Sequence, residues 1–214
     1  MDAFRKEDIE KYLKELNKKL KEKNEQGELI VAGGASLSLV YGARRTTHDI
    51  DALFEPKESL NKMVEDIAEE YGLEKDWLND GVKGFFTKEM THSEILKYSN
   101  LIVSSIDAEC LLALKLTSAR PLNDMDDSII LMKHIGIKKE KELFDLIEKY
   151  IPNNKKTALA HFFTIEAFQK YSEKYLKKIS IKERLRLAEK ECNRLKEISD
   201  KKNDRKKGKN DRTR

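Results

Sequence analysis

The fold is decided by residues 29–54, which have the sequence LIVAGGASLSLVYGARRTTHDIDALF. The first four of these residues are apolar and typical of a buried strand, which Gly33 and Gly34 end sharply. Residues 36–41 favour a short apolar helix. Residues 49–54 alternate polar and apolar side chains, as a half-buried strand does. The segment therefore predicts a strand, a glycine turn, a helix and a second strand.

Helices are predicted for most of the remaining chain. Residues 6–26 carry a narrow apolar stripe on an otherwise charged helix. Further helices are predicted at residues 59–71, 108–119, 126–134, 139–150, 158–175 and 181–198. Two more strands are predicted at residues 94–98 and 101–105, joined by a short turn. These elements indicate an α/β (α+β) fold, in which helices flank a small mixed sheet and a C-terminal helical bundle follows.

The predicted domain boundaries follow the same pattern. Residues 1–107 form the α/β domain with its N-terminal helix, residues 108–198 form the helical domain, and residues 199–214 form a disordered basic tail. Residues 196–214 contain nine Lys or Arg against four Asp or Glu, although the whole chain has a formal net charge of only +4. Such a tail either attracts phosphate backbones or keeps the protein soluble.

Composition restricts the location of the protein. With 39% hydrophobic residues the chain can bury a core, and Trp77 is expected to lie in it. Cys110 and Cys192 have no second cysteine or histidine at ligand spacing, so reduced thiols are expected. The N-terminus has no apolar leader, and no run of about eighteen apolar residues occurs. A cytoplasmic protein with no membrane partner is expected.

Asp49 and Asp51 form an Asp-x-Asp pair on the second predicted strand. Because side chains alternate along a strand, both carboxylates are expected on one face, close enough to need a cation. Mg²⁺ takes oxygen ligands from one or two carboxylates together with substrate phosphates. The pair therefore suits a metal site for nucleotidyl transfer, although an isolated Asp-x-Asp is more often the exposed face of an edge strand.

The glycine turn before this strand strengthens the case for a phosphate site. Gly33 and Gly34 allow close backbone approach to an anion, and the following helix start offers unpaired N–H groups. Ser36 adds a hydroxyl donor, and Arg44 and Arg45 supply planar forks of donors for phosphate oxygens. Turn, arginines and aspartates together predict one phosphate-and-metal site, whereas the turn alone is equally explained as a plain strand-to-helix connection.

These motifs resemble those of the nucleotidyltransferase-like toxins of the AbiEii and MenT abortive-infection class. The resemblance begins at Gly-Gly-Ala-Ser-Leu, residues 33–37, and continues at Arg45-x-Thr47-x-Asp49-Ile50-Asp51. It extends to DWLND at residues 76–80 and to LLALKLTSAR at residues 111–120, which Asp124-x-x-Asp127 follows. Roughly residues 28–137 are covered. The resemblance implies a nucleotidyltransferase-type mixed sheet.

The resemblance also implies a role for each matched residue. The first motif would hold the nucleotide triphosphate, the paired aspartates would bind Mg²⁺ or Mn²⁺, and a lysine on a helix with a later aspartate would complete the site. The nucleotide-binding set is then Gly33, Gly34, Ser36, Arg45 and Arg120. The catalytic set is Asp49, Asp51, Lys115, Asp124 and Asp127.

Some of these side chains have a second interpretation. Lys115 and Arg120 would stabilise charge on phosphates, but basic residues are also favoured at a solvated helix end. Asp107 is either a third metal-binding carboxylate or the N-cap of the next helix, and we favour the cap. Asp124 and Asp127 also have two interpretations: each either caps the next helix or faces the site.

The expected function is transfer of a nucleoside monophosphate from a nucleoside triphosphate to an acceptor hydroxyl. By resemblance, the acceptor is a tRNA 3′ end, a cognate antitoxin protein is the regulator, and the chain is the toxin of a toxin–antitoxin or abortive-infection system. Two alternatives stay open. One is a non-catalytic RNA- or protein-binding protein on a degenerate nucleotidyltransferase fold. The other is a small-molecule, antibiotic-type nucleotidyltransferase.

Overall fold

The computed structural model describes residues 3–42, 46–87 and 89–176, apart from the side chain of Asn123. Two compact units divide between Tyr171 and Ser172. The helices of the first unit are α1 (Lys6–Glu22), α2 (Gly33–Ser36, continued by π-helical Leu37–Tyr41), α3 (Lys57–Tyr71), α4 (Ala108–Ser118), α5 (Pro121–Ile135), α6 (Glu140–Tyr150) and α7 (Ala158–Tyr171). Its strands are β1 (Gly27–Val31), β2 (Ile50–Glu55), β3 (Leu78–Asn79), β4 (His92–Lys97) and β5 (Leu101–Ile106). The first unit also has 3-10 turns at Gly81–Phe85 and Asn153–Lys155, and the second begins with π-helical Ser172–Leu176.

The five strands form one mixed sheet in the order β3-β2-β1-β5-β4. Strand β1 is antiparallel to β2 and parallel to β5, β2 is parallel to β3, and β4 is antiparallel to β5. The four helices α4–α7 follow the sheet along the chain. The predicted fold class, a small mixed sheet with flanking helices and a helical C-terminal part, is confirmed.

The strand directions bring the two sequence motifs together. Strands β1 and β5 run in parallel, so their carboxyl ends meet at one edge of the sheet, where the antiparallel β2 begins. Val31 at the end of β1 pairs with Ala52 on one side and with Ser105 on the other. The glycine turn after β1 and the aspartates at the start of β2 consequently lie at the same edge.

One face of the sheet is closed by the amphipathic helices α1 and α3. The apolar stripe of α1, formed by Ile9, Leu13, Leu16 and Leu20, is fully buried, as the sequence predicted. It joins a core with the alternate residues Leu29 and Val31 of β1 and Ala52 and Phe54 of β2. The intervening residues of β1 and β2, including Asp51, therefore point to the opposite face.

Two local predictions were wrong. Strand β3 was missed, because a strand of two residues carries no alternating pattern to detect. Helix α5 begins at Pro121 and not at residue 126, because proline fits the first turn of a helix, where its missing N–H has no partner to lose. Asp124 therefore lies inside the helix, in its first turn.

Other predictions fall on residues outside the described ranges. These are the helix at residues 181–198, the tail at residues 199–214, and the side chains of Cys192, Arg44 and Arg45. Cys110 is described and is a buried free thiol. Within the described ranges, every helix is too short or too polar to span a lipid bilayer.

Trp77 anchors the core beside β3, as predicted. Its side chain is 1% exposed, its indole N–H donates to the Val64 carbonyl at 3.0 Å, and its ring lies 5.4 Å from that of Tyr12. Replacing Trp77 with Phe should lower the free energy of unfolding by about 1–3 kcal/mol, because the hydrogen bond is lost and a smaller ring leaves space. Urea unfolding measures this difference. Phe162→Leu, at an exposed ring of α7, is the control and should change stability by less than about 0.5 kcal/mol.

Candidate functional site

Gly33 and Asp51 are in direct contact at the sheet edge. Gly33 has a φ of +58°, a conformation that L side chains rarely adopt, and a Cβ placed on it would lie 2.6 Å from Oδ2 of Asp51. The backbone conformation favours glycine here, and the Asp51 carboxylate would have to move to make room for a methyl group. The backbone of the turn can therefore approach any ligand of Asp51 closely.

This double requirement gives a testable difference between two glycines. Gly33→Ala should destabilise the protein by more than the roughly 1–2 kcal/mol that a left-handed backbone costs an L-residue, because its methyl group also displaces the Asp51 carboxylate. Gly72→Ala is the matched control, since Gly72 has a φ of +65° with nothing within 4 Å of its added Cβ. Thermal and urea unfolding compare the two variants, and equal losses would contradict the close contact.

Asp49 and Asp51 are close enough for their charges to interact. Burial is the main cause that raises the pKa of Asp51 above its ordinary value, and the charge of Asp49 raises it further. The charges of Arg120 and Lys115 and a hydrogen bond with Asn79 act in the opposite direction. Asp49 lies in a bend one residue before β2, so the prediction that it belongs to the strand was wrong. The charges of the two acids interact, as the metal hypothesis requires.

The donor set constrains the kind of metal site. Among the described residues, no group of three or more His, Cys, Asp or Glu side chains is arranged to hold a metal ion. A pair of carboxylates suits Mg²⁺ only when phosphate oxygens and water complete its coordination. The two aspartates are thus a donor pair that suits a metal arriving with a nucleotide.

Lys115 of α4 lies in a buried charge network with two aspartates of α5. Its ammonium group is 2.8 Å from Oδ1 of Asp124 and 3.1 Å from Oδ2 of Asp127, and the three residues are 3%, 0% and 4% exposed. Asp124 also accepts hydrogen bonds from the Ser118 hydroxyl at 2.6 Å and from the backbone N–H and Nε–H of Arg120 at 3.0 and 3.2 Å. Burial acts to raise the pKa of Asp124, but the bonds from Lys115 and Ser118 outweigh it and the pKa is lowered.

Asp124 is not the N-cap of α5, because Arg120 occupies that position. From inside the first turn, its carboxylate accepts the backbone N–H of Arg120 and binds Lys115. Asp127 contacts the same lysine from one turn further along the helix. Lys115 is therefore held in place by α5, and it is not a solvated residue of a helix end.

A small pocket joins these groups at the sheet edge, and we call it the aspartate pocket. It is lined by Gly33, Asp51, Val82, Phe85, Lys115 and Arg120, together with apolar residues of α4. The glycine turn, β2, α4 and the connection between α4 and α5 each contribute. Its volume of about 90 Å³ suits a phosphate group and is too small for a whole nucleotide. A carboxylate facing two cations suits a metal-bound anion.

The remaining predicted residues are placed differently. Gly34 and Ser36 are buried, and the Ser36 hydroxyl forms a hydrogen bond with the hydroxyl of Ser105 on β5. Asp107 occupies the N-cap position of α4, but its side chain makes no capping bond, so our preferred interpretation was wrong. Its carboxylate accepts hydrogen bonds from the hydroxyls of Thr91 and Ser93 instead. These hydroxyl groups, at and just before the start of β4, bind the carboxylate in place of the backbone N–H groups of α4.

Sequence reasoning missed the contribution of the segment after β3. Asn79 pairs in register with Asp51, forms a side-chain hydrogen bond with it, and accepts the backbone N–H of Gly81 at 2.9 Å. Val82 and Phe85 of the following turn supply an apolar wall of the aspartate pocket. The signal in the sequence was the Asn79-Asp80-Gly81 turn, which is typical of a chain reversal next to a strand.

Comparison with known proteins gives one match. A family model described as a nucleotidyltransferase of unknown function (DUF6036) matches residues 8–176, most of the chain. The match includes the glycine turn, both aspartates and the buried charge network. No curated protein and no solved structure matches the chain.

Proposed function

Because the chain belongs to this nucleotidyltransferase family, we propose that it transfers a nucleoside monophosphate from a nucleoside triphosphate to an acceptor hydroxyl with the help of Mg²⁺ or Mn²⁺. The observation that carries the proposal is the aspartate pocket, in which Asp51 meets Gly33, Lys115 and Arg120. These are residues that a nucleotidyl transfer site needs: a metal-binding acid, a close-approach glycine and two cations.

Each side chain has a defined task in this proposal. Asp49 and Asp51 hold the metal, which when bound neutralises phosphate charge and orients the attacking oxygen. Gly33 lets the backbone lie against the triphosphate, and the partly exposed guanidinium of Arg120 offers donors to its oxygens. Lys115, fixed by Asp124 and Asp127, supplies a positive charge that needs no rearrangement during the reaction.

The reaction exchanges one bond at the α-phosphorus. The oxygen of the acceptor hydroxyl forms a bond to the α-phosphorus and releases its proton to water, the bond from that phosphorus to the bridging oxygen breaks, and pyrophosphate leaves with the electron pair. Positioning and charge neutralisation dominate such transfers, because little other covalent chemistry is required of the protein. A site with few protein groups close to the metal is consistent with this demand.

The acceptor and the biological setting rest on the resemblance to the AbiEii and MenT class. By this analogy the acceptor is a tRNA 3′ end, the setting is a toxin–antitoxin or abortive-infection system in the cytoplasm, and a cognate antitoxin protein controls the activity. These assignments require of the structure only that the site opens at the sheet edge.

A direct assay tests the proposed transfer. The purified chain is incubated with total tRNA and each α-labelled nucleoside triphosphate in Mg²⁺, and a parallel set contains a chelator. We expect label in the RNA from at least one triphosphate, and none in the chelator. Binding of RNA without transfer of label, unaffected by chelation, would instead favour the non-catalytic alternative.

A further inference from the structure

A second pocket opens on the same face of the sheet as Asp51, and we call it the sheet-face pocket. It has a volume of about 330 Å³ and is lined by Glu28, Ile30, Leu53, Glu55, Lys83 and Phe86, among others. Asp51, Leu53 and Glu55 alternate along β2 and so point to one face. The pocket therefore begins about 7 Å from Asp51, the rise of two strand residues.

Cross-strand pairing builds the floor of this pocket. Leu53 lies opposite Ile30, and Glu55 lies opposite Glu28, on the antiparallel strands β2 and β1. The first pair forms an apolar surface, to which Phe86 adds an aromatic ring. A cavity of this size with an apolar floor can hold a group as large as a nucleoside or a sugar.

The second pair gives the pocket a chemical preference. Like charges directly opposite on neighbouring strands are destabilising, so Glu28 and Glu55 favour a hydrogen-bond donor or a cation between them. Among the described residues, the nearby Lys57 ammonium is bonded to Asp80, and the Glu55 carboxylate accepts the backbone N–H of Lys57 at 3.1 Å. Both glutamates are exposed and Lys83 also lines the pocket, so an amino group is favoured, and a phosphate disfavoured, at the glutamate end of the pocket.

The position of the pocket matches the direction from which an acceptor must attack. Attacking and leaving oxygens lie roughly in line on opposite sides of the transferred phosphorus. Gly33 lies beyond the sheet edge and touches Asp51, whereas Leu53 and Glu55 lie on the sheet. Along β2, Asp51 therefore lies between Gly33 of the aspartate pocket and Leu53 of the sheet-face pocket. With pyrophosphate leaving on the side of Gly33 and Arg120, the acceptor hydroxyl comes from the side of Leu53.

We propose that the sheet-face pocket receives the acceptor, and that Glu28 and Glu55 select a hydroxyl-bearing group of nucleoside or sugar size that also carries an amino group. This inference rests on the proposed transfer reaction and specifies its second substrate. Two sources share the chemistry. One is the terminal adenosine of an RNA 3′ end, and the other is a small amino-bearing alcohol or amino sugar.

Matched pairs of probes test the selection. Binding of adenosine is compared with that of purine riboside, which lacks the amino group, and binding of glucosamine with that of glucose. Calorimetry is done on the full chain with Mg²⁺ and a non-hydrolysable nucleoside triphosphate. The amino member of at least one pair should bind about tenfold more tightly or better, as expected for a hydrogen bond to a charged acceptor. Preference within the adenosine pair indicates an RNA end, and preference within the glucosamine pair indicates a small molecule.

Substitutions assign the preference to the two glutamates. Glu28→Gln and Glu55→Gln should each reduce it severalfold, while stabilisation of the protein by Mg²⁺ and nucleoside triphosphate stays unchanged. Glu58→Gln, at an exposed acid in the first turn of α3, is the control and should leave both properties intact.

Three results would overturn the inference. The first is the absence of any preference in the wild-type protein, and the second is a preference that survives both glutamine substitutions. The third is loss of nucleotide stabilisation in the glutamine variants, which would assign the pocket to the nucleotide itself. If no nucleotide stabilises the wild-type protein in Mg²⁺, the proposed transfer reaction is contradicted, and the acceptor role is contradicted with it. Thermal stabilisation by nucleotide thus tests the reaction separately from the binding preference that tests the acceptor pocket.

Discussion

Asp51→Asn is expected to reduce nucleotide transfer more than about 100-fold. Loss of a group that only supports a metal ligand already costs 10- to 100-fold, and Asp51 is proposed to bind the metal itself. Asparagine keeps the size of the side chain but removes the charge and replaces one acceptor oxygen with an NH₂ donor. Asp49→Asn should have a similar effect. Initial rates of label transfer at saturating nucleotide measure the loss.

Stability separates this loss from misfolding. Burial and the charge of Asp49 raise the pKa of Asp51, so the folded state disfavours the ionised form. In chelator, Asp51→Asn should therefore have a higher Tm than the wild type at neutral pH. This advantage should disappear as the pH falls below the ordinary aspartate value of 3.8, where the acid is protonated in both folded and unfolded chains. An Asp51→Asn variant that transfers nucleotide at an undiminished rate would contradict the assignment of the metal ligand.

The matched control is Asp66→Asn. Asp66 is an exposed aspartate of α3, the helix that packs on the opposite face of the sheet from Asp51. The same chemical change at this position should leave both the transfer rate and the Tm within error of the wild type. A large effect there would point to a general sensitivity to lost negative charge.

Lys115→Met should give the largest loss of stability, about 3–5 kcal/mol. Methionine has a similar length but leaves the buried carboxylates of Asp124 and Asp127 without the ammonium group that lies between them. Removal of one partner from a buried ion pair typically costs this much. The loss is measured by urea unfolding at neutral pH. Transfer should also fall, because the fixed cation beside Asp51 is gone.

The pH dependence of this variant has a defined sign. The pKa of Asp124 is lowered in the folded protein, so its contribution to stability is present above its ordinary value of 3.8 and is lost as the pH falls through the lowered value. The difference between the wild type and Lys115→Met should shrink over that acid range. Lys141→Met is the control, because Lys141 pairs with Asp145 at an exposed site of α6 and should contribute no more than about 1 kcal/mol.

Much of the fold was predictable because its signals are local. The alternation along β2 and the apolar stripe of α1 are periodic patterns. The pair Gly33 and Gly34 marks the end of the apolar run of β1. Strand β3 could not be predicted, because its two residues are defined by pairing with β2 and not by their own pattern. The start of α5 was missed because proline ends a helix in most positions, whereas Pro121 begins one here.

The site was less predictable than the fold, because it depends on contacts between distant segments. That Asp51 approaches Gly33 could be inferred from two short motifs. The burial of Lys115 against Asp124 and Asp127 could not, since no spacing rule specifies which acid of α5 faces α4. The resemblance placed these residues in the site, and the structure shows that the two aspartates hold the lysine in position. Asn79 escaped notice because its role requires the register between β2 and β3.

We propose above all that Asp49 and Asp51 hold a divalent ion beside the glycine turn, and that this ion binds the phosphates of a nucleotide. Thermal unfolding of the wild type and Asp51→Asn, with each nucleoside triphosphate in either Mg²⁺ or chelator, tests it most directly. We predict that at least one triphosphate raises the Tm of the wild type in Mg²⁺, that chelator removes this shift, and that Asp51→Asn lacks it. A shift of equal size in chelator, or in Asp51→Asn, would contradict the account.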